Sequence, residues 1–426
     1  MVASGPMPGP TPPASPGQWN DGAQSRGMMV WEVLGTSTNS TTLFNIWPAS
    51  TLVPVARTNV WNADQVGHIR LGIGTSGLLF NINNSSAINT GLGVMGGVVD
   101  NIINSGVKCI MNFAPGSEGW GLTADQILDG GVNFSTYLQM LTTISYYVAS
   151  KNWSPRSVAI GCLNEPTTAT GGNDGYYAMM QSMFHTVRNI LPYHRISLGF
   201  LNFAGANEMT SYANFSKNDF DSQTMFDMHC YYPQSASWAS NTPANVYWHN
   251  IWTPVYPPSG GAPGLNQFNI DYPAYNIRYT GDPTGIDPST VASQFALEGL
   301  FTYYGQGFNT GNVGAFIDLT GRQQDATWLK DWFYKFIENW RVAKGLVPNQ
   351  ILIGEYGITH GPHQCTNRNQ CFADISTAID SYGFHRCVLG GEETAGTSIG
   401  FGLYADASPW THFDPAAISA IAFNGK

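Results

Sequence analysis

The chain has 426 residues, of which 43% are hydrophobic and 11% are Asp, Glu, Lys or Arg. The apolar content is ample for a large folded core, whereas the charged content lies well below the ~25% that is usual for soluble domains. The formal net charge of -10 is spread without long runs, which argues against nucleic acid or anionic lipid as the partner. No apolar run reaches transmembrane length, and we expect a neutral ligand.

The start of the chain differs in composition from the remainder. Residues 1–19 are rich in Pro, Gly, Ala and Ser, and they lack the basic start and apolar centre of a signal peptide. We therefore expect a flexible tail or linker remnant over residues 1–19 and one folded domain over residues 20–426.

Apolar segments typical of strands alternate with segments of helical periodicity along the chain. The predicted strands are Gly27–Val33, His68–Ile73, Val107–Asn112, the apolar part of Ser157–Pro166, Arg195–Phe200, Thr224–Tyr231, Gln350–Gly354 and Ile399–Tyr404. The predicted helices are Gly93–Ser105, Phe134–Val148, Tyr176–Leu191, Thr327–Ala343 and Phe372–Tyr382. Eight strands joined by helices favour one α/β domain, a closed (β/α)8 TIM barrel, over two separate domains.

One connection is far longer than the others. Residues 233–325, between the predicted sixth and seventh strands, are dense in Pro, Gly, Tyr and Trp. Connections of this length inside a compact domain are uncommon and are usually functional. Most tryptophans of the chain are expected in the core, but four lie in predicted loops above the barrel mouth, where an indole could stack on a sugar ring. These are Trp120, Trp238, Trp248 and Trp252.

Two glutamates share the same sequence context. Glu165 follows an apolar strand and precedes Pro166, which cannot donate to a strand ladder, and Glu355 follows the apolar run Ile351–Gly354. In a parallel barrel both would project at the carboxyl ends of the strands, where barrel enzymes carry their chemistry. Alternatively, each could cap a helix or pair with an arginine. A carboxylate pair at this face suits cleavage of a glycosidic bond, and Arg70 could keep Glu355 ionised.

Three motifs in this order resemble family 5 of the glycoside hydrolases, the cellulase and mannanase family of clan A. They are N-E-P at residues 164–166, H-x-Y at residues 229–231 and G-E-Y-G at residues 354–357. The resemblance extends from about Gly27 to Asp406 and implies a TIM barrel. It also implies a role for each matching residue. Glu165 would be the general acid/base, Glu355 the nucleophile, Asn164 the partner of the sugar 2-hydroxyl, Arg70 and Tyr231 contacts of the nucleophile, and His229 an orienting residue; Glu32, at the exit of the first strand, is a further candidate.

The chain departs from the family pattern at two positions. Asn112 and Phe113 stand where the family usually carries a histidine pair. Tyr404 is the nearest match to the tryptophan that normally ends the eighth strand. Both positions would face the sugar, so the departures leave the substrate open.

The resemblance implies a secreted, retaining β-glycoside hydrolase without a cofactor, whose carboxylates lie about 5 to 5.5 Å apart. A neutral β-glucan is the expected substrate and an endo-β-1,4-glucanase the expected activity. A β-1,3-glucanase, a mannanase and a transglycosylase are alternatives on the same barrel. A carbohydrate-binding barrel without activity is an alternative of another class.

A short polar segment after Glu355 allows two further interpretations. His360, His363 and Cys365 form H-x-x-H-x-C, a spacing that fits no standard zinc pattern, so loop or subsite contacts are favoured over a metal site. Cys365 and Cys371 flank a polar loop and could form a local disulfide bond if the protein is exported.

Overall fold

The computed structural model describes the greater part of the barrel and portions of its connections. The described residues are 19, 24–33, 65–115, 122–205, 208–230, 268–271, 276–279, 306–308, 316–318, 326–357, 368–389, 403 and 414–423. Residues 31–33, 328, 368 and the strands between 268 and 318 are described by their backbone alone.

Eight parallel strands close into a barrel, as the alternation of strands and helices predicts. Each strand pairs with the next along the chain, and the eighth pairs with the first. The strands are β1 Arg26–Val33, β2 His68–Gly74, β3 Lys108–Ala114, β4 Val158–Gly161, β5 Arg195–Gly199, β6 Thr224–His229, β7 Ile351–Tyr356 and β8 His385–Leu389. Strands of such a barrel are covered on both faces, which explains why β4 to β8 are buried along their whole length.

Helices follow most of the strands and cover the outside of the barrel. The longer ones are α1 Ser85–Asn104, α2 Val132–Ser150, α3 Gly172–Arg188, α4 Ala326–Phe333, α6 Arg368–Asp380 and α7 Pro415–Ile421, and the five-residue α5 Asn339–Ala343 continues α4. A π-helical turn, Tyr334–Glu338, joins α4 to α5, so the helix predicted over Thr327–Ala343 is continuous. Shorter helical segments are Ser76–Phe80, Ala124–Ile127, Leu201–Ala204, Glu208–Ser211, Lys217–Asp219 and Pro348–Gln350. Among the described residues, no helix is long and apolar enough to cross a membrane.

The predicted insertion falls between β6 and α4. Within it the structure describes two antiparallel pairs of short strands. The pairs are Phe268–Asp271 with Asn276–Tyr279, and Gln306–Phe308 with Phe316–Asp318.

The eighth strand is not where the sequence predicts it. The barrel closes through β8, His385–Leu389, whereas the apolar segment Ile399–Tyr404 was expected. The sequence pattern hides this strand because its second residue, Arg386, is of a type that is rarely buried unless it is paired. Arg386 can be buried because it pairs with Asp380 at 2.6 Å and donates to the Tyr356 hydroxyl at 2.8 Å. The eighth strand therefore ends at Leu389 and not at residue 404, which lies outside the described residues.

Trp19 belongs to the barrel, so the predicted tail does not extend through residue 19. Its indole is 1% exposed and packs with a layer of side chains inside the barrel. It lies 5.1 Å from the ring of His68 and 5.7 Å from that of His385, the first residues of β2 and β8. Its carbonyl accepts a hydrogen bond from Arg195 Nε at 2.9 Å. Trp19 thus closes the amino-terminal end of the barrel, opposite the end that carries Glu165 and Glu355.

Candidate active site

Arg70, the third residue of β2, lies at the centre of a polar cluster inside the barrel. Its side chain is fully buried. Nη1 donates to Glu355 Oε1, and Nη2 donates to Asp227 Oδ2 and Asn164 Oδ1, each at 2.8 Å. Burial acts to lower the pKa of Arg70, but the charges of Asp227 and Glu355 outweigh it and raise the pKa above its usual range. The guanidinium therefore remains charged and joins Asn164, Asp227 and Glu355 in one cluster.

His229, the last residue of β6, lies between the two glutamates. Its Nδ1 is 2.8 Å from Glu165 Oε1 and 3.5 Å from Glu355 Oε2, and its Nε2 is 3.1 Å from Arg70 Nη2. Nδ1 faces an acceptor, the Glu165 carboxylate, and Nε2 faces a group that has donors only, the Arg70 guanidinium, so the tautomer with its proton on Nδ1 suits both contacts and donates to Glu165. Burial lowers the pKa of His229, and the charge of Arg70 adds to this effect against the opposing charges of Glu355 and Asp227. The imidazole is therefore neutral and fixed in one tautomer.

The two glutamates converge from opposite sides of the barrel but differ in environment. One side-chain atom each of Glu165, His229 and Glu355 lies within 4.8 Å of the other two. The Glu355 side chain is 3% exposed and bound by Arg70, whereas that of Glu165 is 21% exposed. Glu355 is thus held as a fixed, charge-paired carboxylate, and Glu165 is the one that solvent reaches.

Glu165 does not lie in the strand that the sequence predicts to lead into it. β4 ends at Gly161, and Glu165 follows in the connection with φ +43°. This left-handed conformation is uncommon for residues other than glycine, and it persists where the surrounding structure enforces it, often at functional sites. The prediction that Pro166 ends the strand is therefore wrong by four residues, since the chain leaves the sheet earlier and turns to direct Glu165 inward.

Asn164 has its side-chain amide oriented by two donors. Its Oδ1 accepts from Arg70 Nη2 at 2.8 Å and from Asn112 Nδ2 at 2.9 Å. Both bonds fix Oδ1 towards the protein, which turns the amide NH2 group the other way. Asn112, at a position where the resemblance leads one to expect histidine, is 1% exposed and completes the cluster.

Asp227 is part of the site and was missed by the sequence analysis. It is 3% exposed and pairs with Arg70 at 2.8 Å. The available signal was its spacing from His229. Two residues apart on one strand, the two side chains point to the same face of the sheet, so D-x-H could have been read together with H-x-Y.

Several of the predicted site residues lie outside the described part of the chain. The β1 backbone at Glu32 is described, but its side chain is not. The others outside are Tyr231, Trp120, Trp238, Trp248, Trp252, Tyr404, His360, His363 and Cys365. Their roles, and the disulfide bond between Cys365 and the buried Cys371, remain predictions.

Glu165, His229 and Glu355 also form a set of residues that could each offer one ligand atom to a metal ion. The chemistry of the set fits a hydrogen-bonded cluster better. The Nδ1 of His229 already donates to Glu165 at 2.8 Å, and Arg70 supplies a positive charge at 2.8 Å from Glu355. A metal ion would have to displace the first bond and would be repelled by the buried guanidinium.

A closed parallel barrel with two facing carboxylates at the carboxyl ends of its strands defines a barrel enzyme of the glycosidase class. The family model of Cellulase (glycosyl hydrolase family 5) matches residues 39–257, just over half of the chain. The chain belongs to glycosyl hydrolase family 5 and is a glycosidase.

Solved structures of family enzymes share the fold across nearly the whole chain. Cel5A from Thermotoga maritima in complex with mannotriose is 13% identical, with a TM-score of 0.58 over 94% of this chain and 98% of that one. A family 5 xyloglucanase from Paenibacillus pabuli is 15% identical, with a TM-score of 0.58 over 94% and 98%. The cellulose synthase subunit Z from Clostridioides difficile is 14% identical, with a TM-score of 0.57 over 93% and 99%. At these identities the likeness shows the fold alone. No curated protein matches the chain in sequence.

Proposed function

We propose that this glycosidase is a retaining β-glycoside hydrolase that acts on a neutral β-glucan. The observation that carries the proposal is the clustering of Glu165, His229 and Glu355, in which one atom of each lies within 4.8 Å of the others. Retaining enzymes hold their two carboxyl groups ~5–5.5 Å apart, closer than the ~6.5–9.5 Å of inverting enzymes, which place a water between them. The close approach of the two carboxylates and their shared contact with His229 support the retaining arrangement.

The two environments assign the two roles. Glu355, buried and paired with Arg70, would attack the anomeric carbon as a carboxylate and form a covalent glycosyl-enzyme. Glu165, the more exposed of the two, would give its proton to the departing glycosidic oxygen. It would then take a proton from the water that attacks the anomeric carbon and releases Glu355. The neutral His229 donates a hydrogen bond to Glu165 and can remain bonded through both steps.

The amide of Asn164 supports the same proposal. Because its Oδ1 is bound by Arg70 and Asn112, its NH2 group is the part available to a substrate. In the family this asparagine contacts the sugar 2-hydroxyl, a bond that strengthens in the transition state of such reactions. The orientation seen here is the one such a contact requires.

The mechanism is tested by trapping with a fluorosugar substrate that forms the glycosyl-enzyme quickly and releases it slowly. Peptide mass spectrometry should place the label on Glu355. The anomeric configuration of the first product, read by proton NMR, should be that of the substrate. A label on another residue, or an inverted product, would contradict the proposal.

For the substrate we propose a β-1,4-glucan cleaved internally. The support is likeness in fold to the endoglucanase Cel5A of Thermotoga maritima, which has also been solved in complex with cellobiose. Mannan and xyloglucan are alternative substrates, because the chain is equally similar in fold to the mannotriose complex and to the xyloglucanase. A panel of β-1,4-glucan, β-1,3-glucan, mannan, xyloglucan and xylan, with product sizes read by chromatography, decides among them. Longer products on addition of an acceptor sugar would indicate a transglycosylase.

A further inference from the structure

The connection after β5 contains three successive residues in the left-handed backbone region. Asn202, Phe203 and Ala204 have φ of 55°, 62° and 55°, and none of them is glycine. Asparagine tolerates this conformation, but for phenylalanine and alanine it is costly, and runs of such residues are rare. Conformations of this kind persist where surrounding contacts enforce them, and they concentrate at functional sites.

The left-handed turn, residues 202–204, binds the backbone that immediately follows Glu165. The N–H of Asn202 donates to the carbonyl of Thr167 at 3.1 Å, and the N–H of Phe203 donates to the carbonyl of Pro166 at 3.0 Å. In a right-handed or extended turn these two N–H groups would point elsewhere. The unusual conformation is thus what directs them at the Glu165 connection.

The same turn also connects to the strand that carries His229. Gly205, the residue after the turn, forms a parallel bridge with His229 at the end of β6. On the other side of Glu165, the N–H of Asn164 donates to the carbonyl of Phe113 at 2.7 Å. The backbone on both sides of Glu165 is therefore anchored, and its downstream anchor is tied to the residue that hydrogen-bonds its carboxylate.

We propose that the left-handed turn is a positioning element for Glu165, with the backbone of Asn202 as its key position. The N–H groups of Asn202 and Phe203 are directed at the backbone that follows Glu165. The turn therefore acts on the part of the site that carries the acid/base. This inference rests on the proposed role of Glu165. It predicts that loosening the turn weakens proton transfer to the leaving group and leaves attack by Glu355 intact.

The test compares two variants at an exposed position, Asn202→Pro and Asn202→Gly. Both remove the bond from the Asn202 side chain to Glu208 Oε1, which is 3.0 Å long. Glycine keeps the N–H and adopts the left-handed conformation freely, whereas proline lacks the N–H and has its φ fixed near -65°. The two variants therefore differ in the backbone N–H and in the φ angle that position 202 can adopt. Asn202→Val, which keeps the N–H but disfavours the left-handed region, serves if the proline variant does not fold.

The readout is kcat/KM on two aryl β-cellobiosides, phenyl and dinitrophenyl, which differ in their need for protonation. Phenoxide requires a proton as it leaves, whereas dinitrophenoxide leaves without one. We expect Asn202→Pro to lose about 10- to 100-fold on the phenyl substrate, the range caused by small misplacements. On the dinitrophenyl substrate it should stay within about twofold of wild type, and Asn202→Gly should resemble wild type on both.

Retained activity on the dinitrophenyl substrate also proves that the variant is folded. Equal losses on both substrates, or no loss on either for a folded variant with the turn disrupted, would overturn the proposal. If the wild type cleaves neither substrate, nor any glycan of the panel, the proposed function fails instead.

Discussion

Gly354 lies directly against Asp227 in the adjacent strand. A Cβ at position 354 would come within 1.9 Å of Asp227 Oδ1, far closer than any real contact. The glycine that precedes Glu355 therefore makes room for the carboxylate that pairs with Arg70 at 2.8 Å. Position 354 is small because the barrel interior must hold two carboxylates on one guanidinium.

We expect Gly354→Ala to displace Asp227 and leave Arg70 with one of its two counter-charges. Breaking a buried ion pair from one side costs about 3–5 kcal/mol, and the shift also moves the neighbouring Glu355. Activity should fall at least about 100-fold, with a clear loss in the free energy of unfolding measured in urea. Gly93→Ala is the matched control, because a Cβ there meets nothing within 4 Å. In the middle of α1 it should stabilise by ~0.5–1 kcal/mol. Wild-type activity in Gly354→Ala would contradict this account.

Seven of the eight strands could be placed from the sequence within a few residues, because each is an apolar run bounded by helical periodicity. β8 could not, because its buried Arg386 reads as a surface residue until Asp380 and Tyr356 are seen beside it. Asp380 lies six residues and Tyr356 thirty residues from Arg386 in sequence, and neither spacing belongs to a recognisable motif.

The residues of the candidate site also differ in how well the sequence predicts them. Glu165 and Glu355 could be predicted because each stands in a recognisable motif. Asp227 carries a weaker signal, its two-residue spacing from His229, because the role of its carboxylate comes from Arg70 on a strand 157 residues away in sequence. Trp19 was assigned to a tail by the composition around it, although its own indole closes the barrel.

Asn112 is predicted to act on catalysis through Asn164. Asn112→Ala removes one of two bonds that orient the Asn164 amide, a loss of about 1 kcal/mol, or fivefold to tenfold in kcat/KM. If the effect runs through the sugar 2-hydroxyl, a 2-deoxy substrate should be cleaved equally by wild type and variant. Arg156→Ala, a change in the loop before β4 at the opposite end of the barrel, should leave both rates unchanged. An equal loss on both substrates would show that Asn112 acts in another way.

Trp19 is predicted to contribute strongly to stability. Replacing a fully buried aromatic residue by alanine costs about 3–5 kcal/mol, and Trp19→Ala would also leave the carbonyl partner of Arg195 less firmly held. The free energy of unfolding should fall by that amount, with kcat near wild type in the folded fraction. Tyr146→Ala is the control, because that ring is 63% exposed and its loss should change stability by less than about 0.5 kcal/mol. Comparable effects of the two substitutions would contradict the burial of Trp19.

Buried neutral histidines should make the protein less stable in mild acid. Burial lowers the pKa of His194 to about 4, with a smaller contribution from Arg188, while a bond with the carbonyl of Trp153 opposes both. Burial also lowers the pKa of His68 and His385 well below the usual range, and nearby cations add to the effect. In the unfolded chain these groups titrate near 6.5. Above pH ~6.5 these histidines are neutral in both states and do not oppose folding. Below pH ~6.5 the unfolded state binds protons that the folded state excludes, so the free energy of unfolding falls as the pH is lowered.

For His194 the loss should amount to about 1.4 kcal/mol per pH unit between pH ~6.5 and 4. His194→Gln retains a side-chain donor for the carbonyl of Trp153, which lies 3.2 Å from His194 Nε2, but it cannot titrate. The free energy of unfolding of the variant relative to wild type should therefore improve steadily as the pH is lowered through this window. Urea unfolding at half-unit steps measures the difference, and carboxylates shared by the two proteins cancel from it. A difference that does not change with pH would mean that His194 has the same pKa in the folded and the unfolded protein, and it would remove the burial argument for this histidine.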